Sequence, residues 1–240
     1  MSEEDNKRIP AKEVTASSSG GDTGSVGLIA TLAFAGLVSG MAIIGIYETT
    51  LPTITENKAR ELKAAVFKVL PDINQMHKLI YEDGKITVIP QDQAADDPIY
   101  GGYDKSGRFV GYAIPAEGKG FQDTISILYG YRRDTHRVTG MEVLDSRETP
   151  GLGDKIYKDA HFVAEFKNLA VDPQIIAVKK GKKTSDNQID AITGATISSK
   201  AIVNNINRSN KIWFERLPEA GNEPEMHGMS DNELDAGSEE

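Results

Sequence analysis

One stretch of this chain carries no charge. From Thr23 to Tyr47, between Asp22 and Glu48, every side chain is apolar, small or hydroxylic. Its heart, Val26–Tyr47, reads VGLIATLAFAGLVSGMAIIGIY. A helix rises 1.5 Å per residue, so about 20 such residues cross the hydrocarbon core of a bilayer. A buried helix at the edge of a soluble domain keeps a polar stripe, and this run has none. Ala33-Phe34-Ala35 imitates a signal-peptide cleavage site, but the apolar run continues well beyond it. The spacing therefore predicts an uncleaved transmembrane helix over 23–47. Lys7, Arg8 and Lys12 precede it and Lys58, Arg60 and Lys63 follow it, so the positive-inside rule leaves its orientation open. Gly36-x-x-x-Gly40 offers a small-residue face of the kind that packs membrane helices.

The flanks divide the rest of the chain. Residues 1–22 are polar, Ser/Gly-rich and mixed in charge, and read as a disordered tail. Beyond Arg216 there are eight acids and no Lys or Arg, so 217–240 reads as an acidic disordered tail. That tail accounts for nearly all of the net charge of −9, leaving the remainder of the 240-residue chain almost neutral. Between them, 48–216 has the length of one domain. Thr55 is a candidate N-cap for a helix with Ala59, Leu62, Val66 and Val69 on one face, continuing outward from the membrane until Pro71. β-branched and aromatic runs predict strands at Lys85–Ile89, Ile99–Tyr103, Phe109–Ile114, Ile125–Tyr131, Val138–Leu144 and Ile175–Val178. Asp159–Leu169 and Ile197–Phe214 have helical spacing, with Phe162, Val163 and Phe166 inward in the first and Ile202, Ile206 and Trp213 in the second. The fold class is α+β: one transmembrane helix, then a single domain of mixed strands and helices.

Composition removes several chemistries. Without cysteine there is no disulfide, thiolate metal site, Cys-ligated iron–sulfur cluster or thiol nucleophile. His77, His136, His161 and His227 are far apart in sequence and form no i, i+4 pair, so no metal site is predicted. The acidic balance excludes a nucleic-acid binder, which needs clustered cations for phosphates. No nucleophile with a base partner, and no acid–base pair, can be identified, so no catalytic residue is assigned.

Two short segments carry the chemistry. In Asp190-Ala191-Ile192-Thr193-Gly194-Ala195-Thr196-Ile197-Ser198-Ser199, two hydroxyl residues bracket Gly-Ala just where a helix begins. Small residues let a phosphate approach the backbone, and helix N–H groups favour its charge. The same pattern is also satisfied if Thr196 or Ser198 is simply an N-cap. In Glu148-Thr149-Pro150-Gly151-Leu152-Gly153, Pro-Gly predicts a tight turn. Such a loop can press its backbone against a flat ligand, or be an ordinary connection.

Taken together, the two segments resemble one family. The chain is similar to the G subunit of the Rnf ion-translocating electron-transport complex, and to the C subunit of the sodium-translocating NADH:quinone reductase. Both contain an FMN-binding domain, and the resemblance spans about Leu28–Trp213. The family's Asp-x-x-Ser/Thr-Gly-Ala-Thr motif is matched by Asp190, Thr193, Gly194, Ala195 and Thr196, with Thr193 where Ser is common. Its Glu-Thr-Pro-Gly-Leu-Gly loop is matched at Glu148–Gly153, and Asp154-Lys155-Ile156 leans toward Rnf. The resemblance implies FMN attached covalently by a phosphoester to Thr196, installed from FAD by a separate flavin transferase that supplies the base threonine lacks. It implies that Asp190, Thr193, Gly194, Ala195 and Ser198 serve phosphate and transferase recognition. Glu148, Thr149, Leu152 and Gly153 would line the isoalloxazine, and Lys180 would lie near it; Asp123 and Thr124 are further candidates.

The implied function is electron transfer within a membrane-bound ion-translocating ferredoxin:NAD oxidoreductase. The domain would face the extracytoplasmic side of the cytoplasmic (inner) membrane, with the other Rnf subunits as partners. The alternatives are the corresponding component of the sodium-translocating quinone reductase, and a membrane-anchored binding or scaffold protein without redox chemistry.

Overall fold

The chain's structure, a computed structural model, describes residues 23–224. The tail read at 1–22 and residues 225–240 of the acidic segment lie outside the described residues. The chain divides into two compact units between Thr55 and Glu56.

The first unit is helical throughout its described residues. Helix α1 runs Thr23–Val69 without a break, so its last turns belong to the second unit. Its apolar part has a mean hydropathy of 2.2 over an 18-residue window, and nothing in the structure covers that window. This is a helix long and apolar enough to cross a membrane. The expected fresh helix start at Thr55 is not there. Thr55 lies inside α1, and its hydroxyl donates to the Leu51 carbonyl at 2.9 Å. Pro52, inside the helix, removes one backbone donor. Nearby hydroxyls of Thr49 and Thr50 turn back onto the carbonyls of Gly45, Ile46 and Tyr47. The polar residues that read as an interruption are thus absorbed by the helix itself.

The second unit is built on an antiparallel sheet. Strands β1 (Gln75–Glu82), β2 (Lys85–Ile89), β3 (Ile99–Tyr103), β4 (Phe109–Lys119), β5 (Thr124–Arg132), β6 (Arg137–Ser146) and β7 (Leu169–Ala170) pair in the order β2-β1-β3-β4-β5-β6-β7. Short helices α2 (Lys155–Lys158) and α3 (Ala160–Ala164) follow β6. Asp159 caps α3, accepting from the N–H groups of His161 and Phe162. Strands β8 (Ile176–Lys179) and β9 (Gln188–Ala191) form a separate parallel pair, and helix α4 spans Thr196–Arg216.

Period-2 alternation assigns the two faces of the sheet. Tyr112 and Ile114 of β4 and Ile125, Ile127, Tyr129 and Tyr131 of β5 face the larger core, which α4 closes with Ile202, Val203, Ile206 and Trp213. Ala113 and Leu128 point the other way, onto Ala65, Val66, Val69 and Leu70 at the end of α1. There the helix comes so close that a Cβ on Gly130 would collide with the Val69 carbonyl. Val69 O, an orphan carbonyl of the helix end, accepts from Thr139 Oγ1 at 2.5 Å instead.

Leu217–Pro224, the first part of the acidic segment, packs back onto the domain. Leu217 is buried, Arg133 pairs with Glu219 at 3.4 Å, and the Tyr103 hydroxyl donates to the Pro224 carbonyl at 2.8 Å.

Candidate functional site

Strand pairing brings the two sequence segments to one end of the sheet. The hairpin register ends at Lys119↔Thr124, and Ile125 of β5 pairs with Ser146 of β6. The β4–β5 turn at Gly120–Asp123 is therefore beside the loop that leaves β6 at Glu148. The start of α4 is tied to the same point by a side chain.

That side chain is Glu148. It is buried, at 5% exposure. One carboxylate oxygen accepts from the backbone N–H groups of Phe121 and Gln122, each at 2.9 Å. The other accepts from Ser198 Oγ at 2.6 Å. Gly120 and Gly153 make room for it, since a Cβ at either position would strike its carboxylate oxygens. Burial pushes the Glu148 carboxyl up, but the Ser198 hydroxyl and the N–H groups of residues 121–123 outweigh burial and hold it below its ordinary value. It is an ionised carboxylate held by neutral donors; among the described residues it has no cationic partner.

The loop after Glu148 is the tight turn its sequence predicts. Leu152 N donates to Thr149 O at 3.1 Å, with Pro150 and Gly151 (φ +79°) in the middle. Pro then a left-handed Gly is the type II pattern. Thr149 Oγ1 donates to Gln122 Oε1 at 2.7 Å, a second link to the β4–β5 turn. Leu152 is left 51% exposed.

The motif at 190–196 repeats this device. Ala195 N donates to Ile192 O at 3.0 Å across a turn whose Gly194 has φ +86°. The reading of Thr196 or Ser198 as an N-cap is not what the structure shows. Ala195 occupies the cap position and no side chain caps the first N–H groups. Thr196 is exposed, and its hydroxyl turns back to Ile192 O at 3.3 Å. Ser198 points inward to Glu148, and Ser199 Oγ links Ile192 N to Ala195 O. An uncapped helix start with an exposed hydroxyl favours a negatively charged ligand group.

The remaining candidates lie on another side of the motif. Lys179 of β8 pairs with Ala191 of β9, so Lys180 emerges beside Ile192. Lys180, Asp190 and Thr193 line a cleft of about 220 Å³ together with Lys155, Asp159, His161 and Phe162. Asp190 Oδ1 is buried there without a hydrogen-bond partner. Asp123 is exposed; its Oδ1 accepts from Thr124 N, and its carbonyl accepts from Gly120 N across the turn at 2.8 Å.

Two side chains beside Glu148 are not among the site residues named from the sequence. Phe121, whose N–H is fixed by Glu148, is 61% exposed, and Ile197, next to Ser198, is 57% exposed. With Leu152 they put three exposed apolar side chains at segments that converge on one buried carboxylate. An aromatic directly after Gly118-Lys119-Gly120 was the available signal, but a lone exposed residue in a turn has no periodicity to mark it. Exposed apolar surface beside an open helix start fits a flat ring carrying a phosphate. Among the described residues no cluster of side chains has the make-up of a metal site.

Comparisons with known proteins place the chain in a family. Residues 120–211 match the FMN-binding domain family. The chain is 31% identical over 169 residues to the G subunit of the proton-translocating ferredoxin:NAD(+) oxidoreductase complex of Clostridium ljungdahlii, covering 70% of this chain and 80% of that one. It is 29% identical over 180 residues to the G subunit of the ion-translocating oxidoreductase complex of Methanosarcina acetivorans, covering 73% of this chain and 87% of the relative. Among solved structures it is similar to NqrC of Shewanella oneidensis, with a TM-score of 0.50 and 19% identity over 63% of this chain and 91% of that one. That likeness shows the fold.

Proposed function

The chain belongs to the family of G subunits of Rnf-type ion-translocating oxidoreductase complexes, and we propose that it carries its FMN on Thr196. It is an electron-transfer component of a redox-driven translocase of the ferredoxin:NAD(+) oxidoreductase class, with an FMN-binding domain and a membrane-anchoring helix. Its partners are the other components of that complex.

The observation that carries the attachment site is the start of α4. Thr196 is the one residue of the motif that combines an exposed hydroxyl with an uncapped helix N-terminus. Among the described residues nothing activates that hydroxyl, which donates to Ile192 O. The base is therefore supplied by a flavin transferase. The Thr196 oxygen bonds to the FMN phosphorus of FAD, the pyrophosphate bond breaks, AMP leaves, and the threonine proton passes to the transferase base. The first N–H groups of α4 would hold the phosphate. Phe121, Leu152 and Ile197 offer apolar contact to the ring. Bound FMN supplies reversible electron uptake and release, and the protein sets its position and surroundings. A covalent tether keeps the cofactor at a fixed high local concentration on the extracytoplasmic side, where we place the domain.

The test is direct. Co-expression with a flavin transferase should give a band that fluoresces under ultraviolet light on a denaturing gel, and an intact mass raised by one FMN. Thr196→Ala should lose both. A dark wild-type band would end the reading, and a fluorescent Thr196→Ala band would move the attachment elsewhere. Reporter fusions at both termini test the side of the membrane; an active cytoplasmic reporter at the C-terminus would reverse the topology.

A further inference from the structure

We propose that Glu148 is the positioning residue of the flavin cradle, a buried ionised clasp that holds three separate segments in place and does not itself face the ring. The inference rests on the flavin reading above, but its geometry stands independently. Among the described residues the carboxylate joins all three parts of the cradle: it accepts from Phe121 N and Gln122 N of the β4–β5 turn and from Ser198 Oγ at the start of α4, and it lies against Gly153 of its own loop after β6. Each part presents an exposed apolar side chain within one residue of its contact: Phe121, Leu152 and Ile197.

The charge is bound in an unusual way. A buried carboxylate ordinarily finds a cation, as Asp154 does with Lys158 at 2.6 Å. Glu148 has three neutral donors and the positive end of α4 instead. Both oxygens are engaged, and glycines crowd the carboxylate from two sides, so nothing is left to point at a ring. Neutral donors fix position without bringing a second charge beside the cofactor. Ser198, inside the first turn of α4, commits its hydroxyl to Glu148, and no side chain caps the helix start.

A glutamine separates position from charge. Its carbonyl oxygen can accept from Phe121 N and Gln122 N, while its amide donates to Ser198 Oγ, which can accept as well as donate. Aspartate, one methylene shorter, cannot span both contacts. The experiment uses the full chain in detergent, first without flavin. Amide hydrogen exchange at Phe121 and Gln122 should accelerate about tenfold or more in Glu148→Ala and Glu148→Asp, with β5 amides changed by less than about twofold. Glu148→Gln should stay within about threefold of wild type. FMN attachment, followed with FAD and a flavin transferase, should rank the same variants in the same order.

If Glu148→Ala does not fold, Ser198→Ala, which removes one donor only, is read at the same amides with the same expectation of local loosening. Unchanged protection in the variant that folds would overturn the clasp. So would Glu148→Gln that keeps its protection yet fails to load, since the charge would then act on the ring directly. A wild-type chain that takes no FMN would defeat the functional reading, while the exchange arm would still decide on the clasp.

Discussion

Two helix ends meet the same sheet and are finished in opposite ways. At the C-terminal end of α1, Gly130 and Gly140 let the backbone in, Val69 O is taken by Thr139, and Lys68 pairs with Glu142 at 2.6 Å. Ala65, Val66, Val69 and Leu70 are fully covered. At the N-terminal end of α4, the cap position is an alanine, Thr196 and Ile197 are exposed, and the hydroxyl that could cap is drawn inward. The first end is complete as folded. The second is rigid underneath and open on top. Glycine serves both, making room for a helix backbone in one and for a carboxylate in the other.

The comparison can be broken at either end. The largest effect is expected at the open one: Thr196→Ala removes covalent flavin altogether while leaving the melting temperature of the unloaded protein within a degree or two, about what an exposed substitution does. Intact mass and differential scanning fluorimetry read both. At the closed end, Gly130→Val drives a side chain into Val69 O and Thr139 Oγ1 and should cost about 3 kcal/mol, seen in urea unfolding. Ser198→Ala leaves one buried oxygen of Glu148 without its donor and should cost about 2 kcal/mol in the same assay.

Acid titration sharpens the contrast. Glu148 is held below the ordinary carboxyl value, so its contribution is complete above about pH 4.3, the unfolded value, and is lost as pH falls through the lower folded value. Stability should therefore fall with acidification below that pH, and less steeply in Ser198→Ala. The smallest effect is expected for Phe121→Ala. It should change stability by less than about 0.5 kcal/mol, because the side chain is exposed, yet alter the visible spectrum or fluorescence yield of the attached flavin.

What was legible in the sequence follows from how local each signal is. β2 and β3 are where alternation and turn residues place them, at Lys85–Ile89 and Ile99–Tyr103. Strand β1, Gln75–Glu82, escapes such a reading because it has a single β-branched residue, Ile80, and a polar His77 at a buried position. β9 is hidden for another reason: its four residues, Gln188–Ala191, overlap the motif and pair only with β8. The helix expected over Asp159–Leu169 shortens to α3, because after Ala164 the chain turns to reach the sheet edge at β7. Within the site, the Pro-Gly turn could be read from residue types; Thr196 and Leu152 could be named only through the family resemblance, since the local pattern equally allowed an N-cap and an ordinary connection. Phe121 and Ile197 could not, since exposure is their only distinguishing property.

The sequence by itself determined the long apolar helix, the α+β class, the two motifs and the tight turns, because each depends on neighbouring residues whose chemistry is local. Only the tertiary structure decided that Ser198 serves Glu148, and that the segments carrying Phe121, Leu152 and Ile197 meet at that carboxylate. Those outcomes depend on which donor reaches a buried acceptor first in three dimensions. A carboxylate removed from water takes the nearest N–H and O–H groups, however far apart they lie along the chain.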